Sequence, residues 1–574
     1  MKLLLLMRNL MYLRNYEGLV RELAARGHRV TIGYEDARDK APPEIKEAAD
    51  RLAADCPTIE LTGVPARADA WSVLAHQARV LRDYTRYQHP RYAAATRCAE
   101  RAASLVHPTL RRLAFRGGRR SPERAERLAE LAHRVEAALP EDPAVAAVIE
   151  RDRPDLLLVT PLIDFGSTQV DYLKAAARRG IPTGLLVASW DNLTNKGLIP
   201  VLPDRVFVWN ADQAEETASL HGVPRERVVV TGAQLFDDWF GRRPSQDRAA
   251  FCRDVGLDPG KPVVLYTCSS IFISRLESEF LVRWLGALRS SPDPLLREAG
   301  VLIRPHPGST KRAAQWNDPR IAAFGRVVVR PASGGYPVTD ENRRFYFDSI
   351  FHAAAVVGIN TSAMLEAAIV GRPCFTIRDA ETEQAQDGML HFAYLTRYGF
   401  VRPAPDMAAH LAQLAAALRD GPDDPERAGS VEAFLRPQGL RRPATPILAD
   451  AIEAMAGLQP QGLGLPETGA GLRAVLWPLA RLFRLLSAQR TGKKWLREHP
   501  LLQRLRRLLS TAEADYSGNL WYRLRRVRRR GARLAAILLR LPAELLRHRS
   551  LRAAKQAAVA KTAGPQQRGG RPGA

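Results

Sequence analysis

The sequence predicts two doubly wound α/β domains in tandem, followed by a basic helical tail. Short continuous apolar runs alternate with helix-period segments twice over, with a Gly/Arg/Pro stretch between the two series; such runs mark strands buried on both faces of a parallel sheet. At 574 residues the chain exceeds one ordinary core, so two to three domains are expected. The charge is also lopsided. Of a net +24, the residues from Gly471 onward hold 25 Lys and Arg against 4 Asp and Glu, so the excess describes a tail and leaves the body near neutral.

The first series opens with a strand at 2–7, a helix at 16–26 and a strand at 29–33. Leu19, Val20 and Leu23 share one helical face, and Gly27 stands where a helix C-cap needs left-handed backbone. No GxGxxG follows the first strand, so this is not a dinucleotide fingerprint. Residues 66–147 read as Arg- and Ala-rich helices, an insertion. Strands resume at 155–160, 183–188, 205–209 and 227–232, and Gly241 to Ser245 centres a linker. The second series has strands at 262–267, 301–304, 327–329, 355–358 and 374–377. The expected divisions are 1–240, 244–457 and 458–574. Ligands in such sheets lie beyond the strand C-termini, so two facing sheets share one cleft.

Five cysteines (Cys56, Cys98, Cys252, Cys268 and Cys374) form no CxxC pair. That pattern fits a reducing compartment and offers neither a disulfide framework nor a zinc site. The apolar run at 3–7 ends at Arg8, too short for a signal segment, and no stretch is long and apolar enough to be expected to span a membrane. In the tail, Leu472, Val475, Leu476, Leu479, Leu482, Phe483 and Leu486 fall on one helical stripe, with Arg473, Arg481 and Arg484 off it. Similar patterns recur through Leu546, so an anionic membrane surface is the expected partner of residues 471–552. The arginines alternate with leucine stripes and few aromatics stand among them, so no nucleic acid is expected. The end, 564–574, has a disordered composition.

Four segments could carry chemistry. In Val357-Gly358-Ile359-Asn360-Thr361-Ser362-Ala363-Met364-Leu365-Glu366, a strand ends at Val357 and Gly358 permits a tight turn. Asn360, Thr361 and Ser362 then open a helix whose free N–H groups and dipole suit a diphosphate. Glu366, one turn on, is placed to grip ribose hydroxyls. Arg304-Pro305-His306-Pro307 fixes a guanidinium and an imidazole at a strand end, suited to phosphate or leaving-group contact. Thr267-Cys268-Ser269-Ser270 brings small hydroxyls to another strand end. In the first series Asp191, directly after a strand, is the candidate general base, with an Asx-turn or helix-cap role equally open; Asp164 is a lesser candidate. No strand-final DxD offers a metal-diphosphate clamp, so no metal and no cofactor are expected, the donor being a substrate.

In this order the residues resemble the GT-B superfamily of glycosyltransferases over residues 1–457. Gly27-His28-Arg29-Val30 is similar to the superfamily's opening, Thr231-Gly232-Ala233 to its domain junction, and the Thr361-Ser362…Glu366-Ala367…Gly371-Arg372-Pro373 run to its donor site. The resemblance implies two Rossmann-like domains across a cleft, with nucleotide contacts from Thr361, Ser362 and Glu366. It implies a nucleotide sugar as donor and a glycan or lipid-linked acceptor. A cytoplasmic enzyme of surface-polysaccharide synthesis, peripheral on the inner membrane, is the corresponding expectation. Two relatives share features. UDP-N-acetylglucosamine 2-epimerases resemble the stretch after Asp164, but Val187 stands in place of their glutamate. CDP-glycerol glycerophosphotransferases resemble Trp190-Asp191-Asn192 and Arg304-Pro305-His306-Pro307, but Asp191 replaces their histidine. CDP-polyol phosphotransfer and a non-catalytic scaffold role are the alternatives. Cys374, eight residues after Glu366, breaks the paired-glutamate spacing of many retaining members and favours inversion.

Overall fold

A computed structural model describes residues 1–490 apart from 36–40, 109, 112–120, 275–276, 308–312, 333–334, 422–425 and 469. The tail expected to meet a membrane lies, beyond 490, outside the described residues, as does the end at 564–574. Strands β1 (Lys2–Met7), β2 (Arg29–Glu35), β3 (Ile59–Val64), β4 (Leu156–Thr160), β5 (Thr183–Leu186), β6 (Arg205–Val208) and β7 (Val228–Val230) form one sheet, ordered β3-β2-β1-β4-β5-β6-β7. A second sheet holds β8 (Val263–Thr267), β9 (Gly300–Arg304), β10 (Val327–Val329), β11 (Ala355–Gly358), β12 (Cys374–Ile377) and β13 (Arg402–Ala404), ordered β10-β9-β8-β11-β12-β13. All pairings are parallel. The strand order reverses between β1 and β4, and again between β8 and β11, and a ligand crevice opens at such reversals. Two Rossmann-like sheets are therefore present, as the alternating apolar runs predict.

The sequence reading leaves out β3 and β13. Both are edge strands: β3 is half-exposed along its middle, and β13 contains Pro403. Neither is a continuous apolar run, which is the signal that marks the central strands. Gly27 (φ 83°) and Gly371 (φ 80°) take the left-handed backbone expected after their helices. Gly358 does not serve as the turn expected of it. It is the last residue of β11, opposite Thr267, and a Cβ there would meet the Thr267 carbonyl and hydroxyl oxygens at 2.9 Å. Glycine is needed for close approach.

The helical insertion contains helices Ser72–Arg86, Thr96–Leu105 and Pro122–Ala138, and buried charge fixes it to the first sheet. Arg79 donates to Glu136 at 2.7 and 3.0 Å and to Asp171 at 2.9 and 3.0 Å. Lys174 reaches Glu136 at 3.2 Å, and Arg67 reaches Asp171 at 2.9 Å. All five side chains are buried. Further along the same helix, Arg86 donates to the carbonyls of Leu193 and Gly197, both at 2.7 Å. Asp83 accepts from the Gly166 and Leu198 N–H groups at 2.9 and 2.8 Å.

Near its described end the chain returns to the first sheet. Helix Ala444–Glu453, which the expected boundary at 457 assigns to the second series, packs on helix Leu13–Ala25, and Leu448, Ala449 and Ile452 share a core with Leu19, Val20 and β1. Arg26 bonds Asp450 at 2.6 Å and Glu453 at 2.9 Å, and His28 bonds Glu453 at 2.6 Å. Helix Ala470–Arg490 and residues 70–74 belong to a separate compact unit. Within it the Trp71 and Trp477 rings lie 5.2 Å apart, and Arg481 sits 4.8 Å from the Trp477 ring. The expected apolar stripe is divided: Leu476 and Leu482 are buried, whereas Val475 is 67% and Leu479 37% exposed. No described helix is long and apolar enough to cross a membrane, and the five cysteines are unpaired.

Beneath the loop after β8, the buried Glu277 carboxylate accepts from the Ser269 N–H at 2.8 and 3.0 Å and from the Tyr266 hydroxyl at 3.3 Å. Burial pushes Glu277 up to about 8, against these hydrogen bonds.

Two outcomes follow from these buried charges. Arg79→Ala leaves two buried carboxylates without their main partner and should cost about 3–5 kcal/mol, read as a lower denaturation midpoint. Because folding raises the Glu277 pKa, the folded state takes up a proton between the ordinary carboxylate range and about 8. Its contribution is therefore fully present in acid and falls as pH rises across that window. Glu277→Gln should gain stability relative to wild type as pH climbs from about 5 to 8, measured by denaturation at several pH values; a constant difference would refute the buried proton.

Candidate active site

Between the strand ends of the two sheets lies a cavity of about 860 Å³. Its second-sheet wall carries Arg304, His306, Thr361, Ser362 and Glu366, and its first-sheet wall carries Asp191 and Lys196. Residues far apart in the chain thus meet in one cleft, as strand-end placement requires.

Arg304 ends β9 and is 6% exposed. Its guanidinium lies over the Tyr346 ring, 4.1 Å from the centroid, and its Nη1 is buried without a hydrogen-bond partner among the described residues. A buried unpaired guanidinium nitrogen is costly unless a ligand completes it. His306 follows between two prolines; burial, and next the charge of Arg14, push it down to about 4. Near neutral pH its imidazole is thus an uncharged hydrogen-bonding group. Helix Ala363–Val370 begins beside them. Thr361 Oγ1 accepts from the Ala363 N–H at 3.4 Å, while the Thr361 and Ser362 N–H groups have no acceptor among the described residues. Glu366 accepts from the Tyr346 hydroxyl. Burial pushes Glu366 up to about 7, partly offset by Tyr346, Arg304 and Arg14, so a proton is readily held there.

Three expected donor-side residues are placed otherwise. Ser269 is buried, its N–H spent on Glu277 and its Oγ accepting from the Asn360 N–H at 3.3 Å. Asn360 is also buried and donates its side chain to the Ala385 carbonyl at 2.8 Å. Ser270 does not line the cavity, and its carbonyl accepts from the Ile273 and Ser274 N–H groups. Pulled inward by Glu277, this loop leaves Thr267 and Cys268 at the cleft. The two serines and the asparagine brace the wall without forming it.

On the opposite wall, Asp191 heads the short helix Asn192–Asn195 through its backbone carbonyl, and its side chain makes no cap. The helix-cap role left open by the sequence therefore falls to the main chain. Its carboxylate accepts from Asn195 Nδ2 at 2.7 Å and Asn192 Nδ2 at 3.2 Å. Burial penalises this charge, but His391, Lys196, Ser189 and Asn195 outweigh it, and Asp191 stays below its ordinary range. Burial pushes His391 itself down to about 4, so near pH 7 the lasting support comes from Lys196 and the hydrogen-bond donors. Asp164 is not at the cavity wall. It sits half-buried between Arg8 at 2.5 Å and Lys196 at 3.2 Å, and these cations overcome the burial penalty and hold it at about 2. So acidic and so engaged a carboxylate is a poor base; it positions Lys196.

Sequence reasoning gave no role to Tyr346, Arg14, Lys196 or His391. Tyr346 lies in Arg-Arg-Phe-Tyr-Phe, a pattern that reads as helix core. His391 meets Trp190 edge-on at 4.7 Å and bonds Thr194 Oγ1 at 3.1 Å, a long-range contact with no local signal. Among the described residues no three His, Cys, Asp or Glu side chains gather to hold a metal ion.

No protein-family model matches the chain. D-inositol 3-phosphate glycosyltransferase of Nocardia farcinica is 27% identical over 226 residues, 38% of this chain and 40% of that protein; the match spans about two fifths of the relative's length. Among solved structures, UDP-GlcNAc 2-epimerase from Neisseria meningitidis bound to UDP-GlcNAc is similar at a TM-score of 0.45 and 13% identity, covering 79% of this chain and 100% of its own. The S. aureus MnaA–UDP structure gives 0.46 and 13%, covering 80% and 97%. WaaG, a glycosyltransferase involved in lipopolysaccharide biosynthesis, gives 0.41 and 12%, covering 79% and 100%. Two Rossmann-like parallel sheets with a cleft between their strand ends are the architecture that the sequence resemblance to the GT-B superfamily implies.

Proposed function

We propose that the chain transfers a sugar from a nucleotide-sugar donor to a hydroxyl of a glycan or lipid-linked acceptor. One observation carries this reading: Arg304, whose Nη1 is buried and unpartnered among the described residues, and Asp191 line the same cavity. Arg304 and the Thr361 and Ser362 N–H groups would hold the diphosphate, with Glu366 at the ribose. The acceptor oxygen attacks the anomeric carbon and its proton passes to Asp191. The bond from that carbon to the diphosphate oxygen breaks, and its electron pair leaves with the nucleoside diphosphate. Direct displacement of this kind inverts the anomeric centre. Preorganised donors at the departing anion supply the stabilisation, so turnover is expected to persist with EDTA present.

A membrane-associated acceptor is supported by helix Ala470–Arg490, which exposes Val475, Trp477 and Leu479 alongside Arg473, Arg481 and Arg484, the composition of an interfacial helix. In this reading the enzyme works at the cytoplasmic face of the inner membrane in surface-polysaccharide synthesis.

Asp191→Asn should lower kcat by about 10²–10⁴-fold and leave donor affinity unchanged; undiminished turnover would remove Asp191 from the mechanism. In a thermal-shift panel of UDP, CDP, GDP and dTDP, a native-state ligand raises the melting point. A response to CDP alone, with CDP-polyol turnover, would favour phosphotransfer, and no response would favour the scaffold role. Vesicles containing anionic lipid should sediment with the full chain and not with one ending at 468, less so as salt rises; tail-independent or salt-insensitive binding would end the membrane placement.

A further inference from the structure

The cationic side chains lining the cleft divide into two kinds. Lys196 is matched by Asp164 at 3.2 Å, Arg343 by Glu17 at 2.6 Å and Arg21 by Glu17 at 3.3 Å, and Arg242 has Asp238 at 3.9 Å. Arg14 and Arg304, by contrast, have no carboxylate partner among the described residues, and each lies over a tyrosine ring. Arg14 is 5.1 Å from the Tyr336 centroid, and Arg304 is 4.1 Å from that of Tyr346. They come from opposite walls, since Arg14 sits in the first turn of helix Leu13–Ala25 and Arg304 ends β9.

Arg14 nevertheless acts electrostatically on the far wall. After burial, its charge contributes to the downward shift at His306, and it partly offsets burial at Glu366. An aromatic face holds a guanidinium in place without neutralising it or occupying its N–H edge. Both groups are therefore oriented and still hold donors for an anion. A single phosphate next to Arg304 engages that wall alone, whereas two guanidiniums on opposite walls of one cavity suit an anion with charge at two centres.

We propose that Arg14 and Arg304 form a two-sided clamp on the diphosphate of a nucleoside diphosphate, the first-sheet wall supplying the second cation. This rests on the nucleotide-sugar reading and adds a residue from the acceptor side to the donor site. Drawing the walls together and neutralising the departing diphosphate are then one event.

The test is calorimetric titration of the full chain with the nucleoside diphosphate that raises its melting point most, and with the matching monophosphate. Arg14→Gln, Arg14→Lys and Arg304→Gln are compared with wild type. Arg14 is exposed, so its variants should keep the wild-type melting point. Removing one charge-assisted contact should weaken diphosphate binding by about tenfold or more, with the monophosphate much less affected by Arg14→Gln than by Arg304→Gln. Arg14→Lys should recover part of the loss. Wild-type diphosphate affinity in Arg14→Gln, with loss in Arg304→Gln, overturns the clamp and leaves the nucleotide-sugar reading standing. Equal weakening of both nucleotides by Arg14→Gln also overturns it, since a general field would then explain the effect. Failure of every nucleoside diphosphate to bind wild type overturns both.

Discussion

Five buried ionic side chains, Arg67, Arg79 and Lys174 against Glu136 and Asp171, set the terms for the first half of the molecule. A buried charge is tolerable only when its partners are held within hydrogen-bond reach. The insertion helices that bring Arg79 and Glu136 therefore have few ways to sit on the helix bearing Asp171 and Lys174. Once they are so placed, Asp83 and Arg86 on the same helix as Arg79 fall against the turn that carries Asp191 and Lys196. The shape of one cleft wall is inherited from an ion network behind it.

The two walls are electrically unlike. On the first, Lys196 is matched by Asp164 behind the wall and Asp191 by amide donors, while Arg14 has no carboxylate partner among the described residues. On the second, Arg304 is unpaired, Glu366 readily holds a proton and His306 is uncharged near neutral pH. Each wall thus offers an unmatched guanidinium to an anion, and only the first also presents an ionised carboxylate in a hydrogen-bonded setting. This asymmetry is what a transfer between a phosphorylated donor and a hydroxyl acceptor calls for.

Much of the frame was legible in the sequence, because central parallel strands must be apolar on both faces and so read as unbroken runs. The edge strands β3 and β13 were not, since one side of each faces polar surroundings. In the site, Arg304, Thr361, Ser362 and Asp191 announced themselves by following strand ends, and Glu366 by standing one helical turn beyond Ser362. That rule also proposed Ser269 and Asn360, which the buried Glu277 and the Ala385 carbonyl turn inward. Asp164 obeys the rule in position and departs from it in chemistry, as only its spatial neighbours reveal. Arg14 and Tyr346 sit inside helices, where no local pattern separates a ligand-facing side chain from one that merely packs.

The return of helix Ala444–Glu453 to the first sheet means that the polypeptide passes between the lobes twice, once near Gly241 and once before Ala444. A single covalent tether would permit swivelling about any direction. Asp237, bonding both Arg436 at 2.6 Å and the Thr445 N–H at 2.6 Å, ties the two passages to each other. Relative movement of the lobes is thereby more restricted than one covalent link alone would leave it.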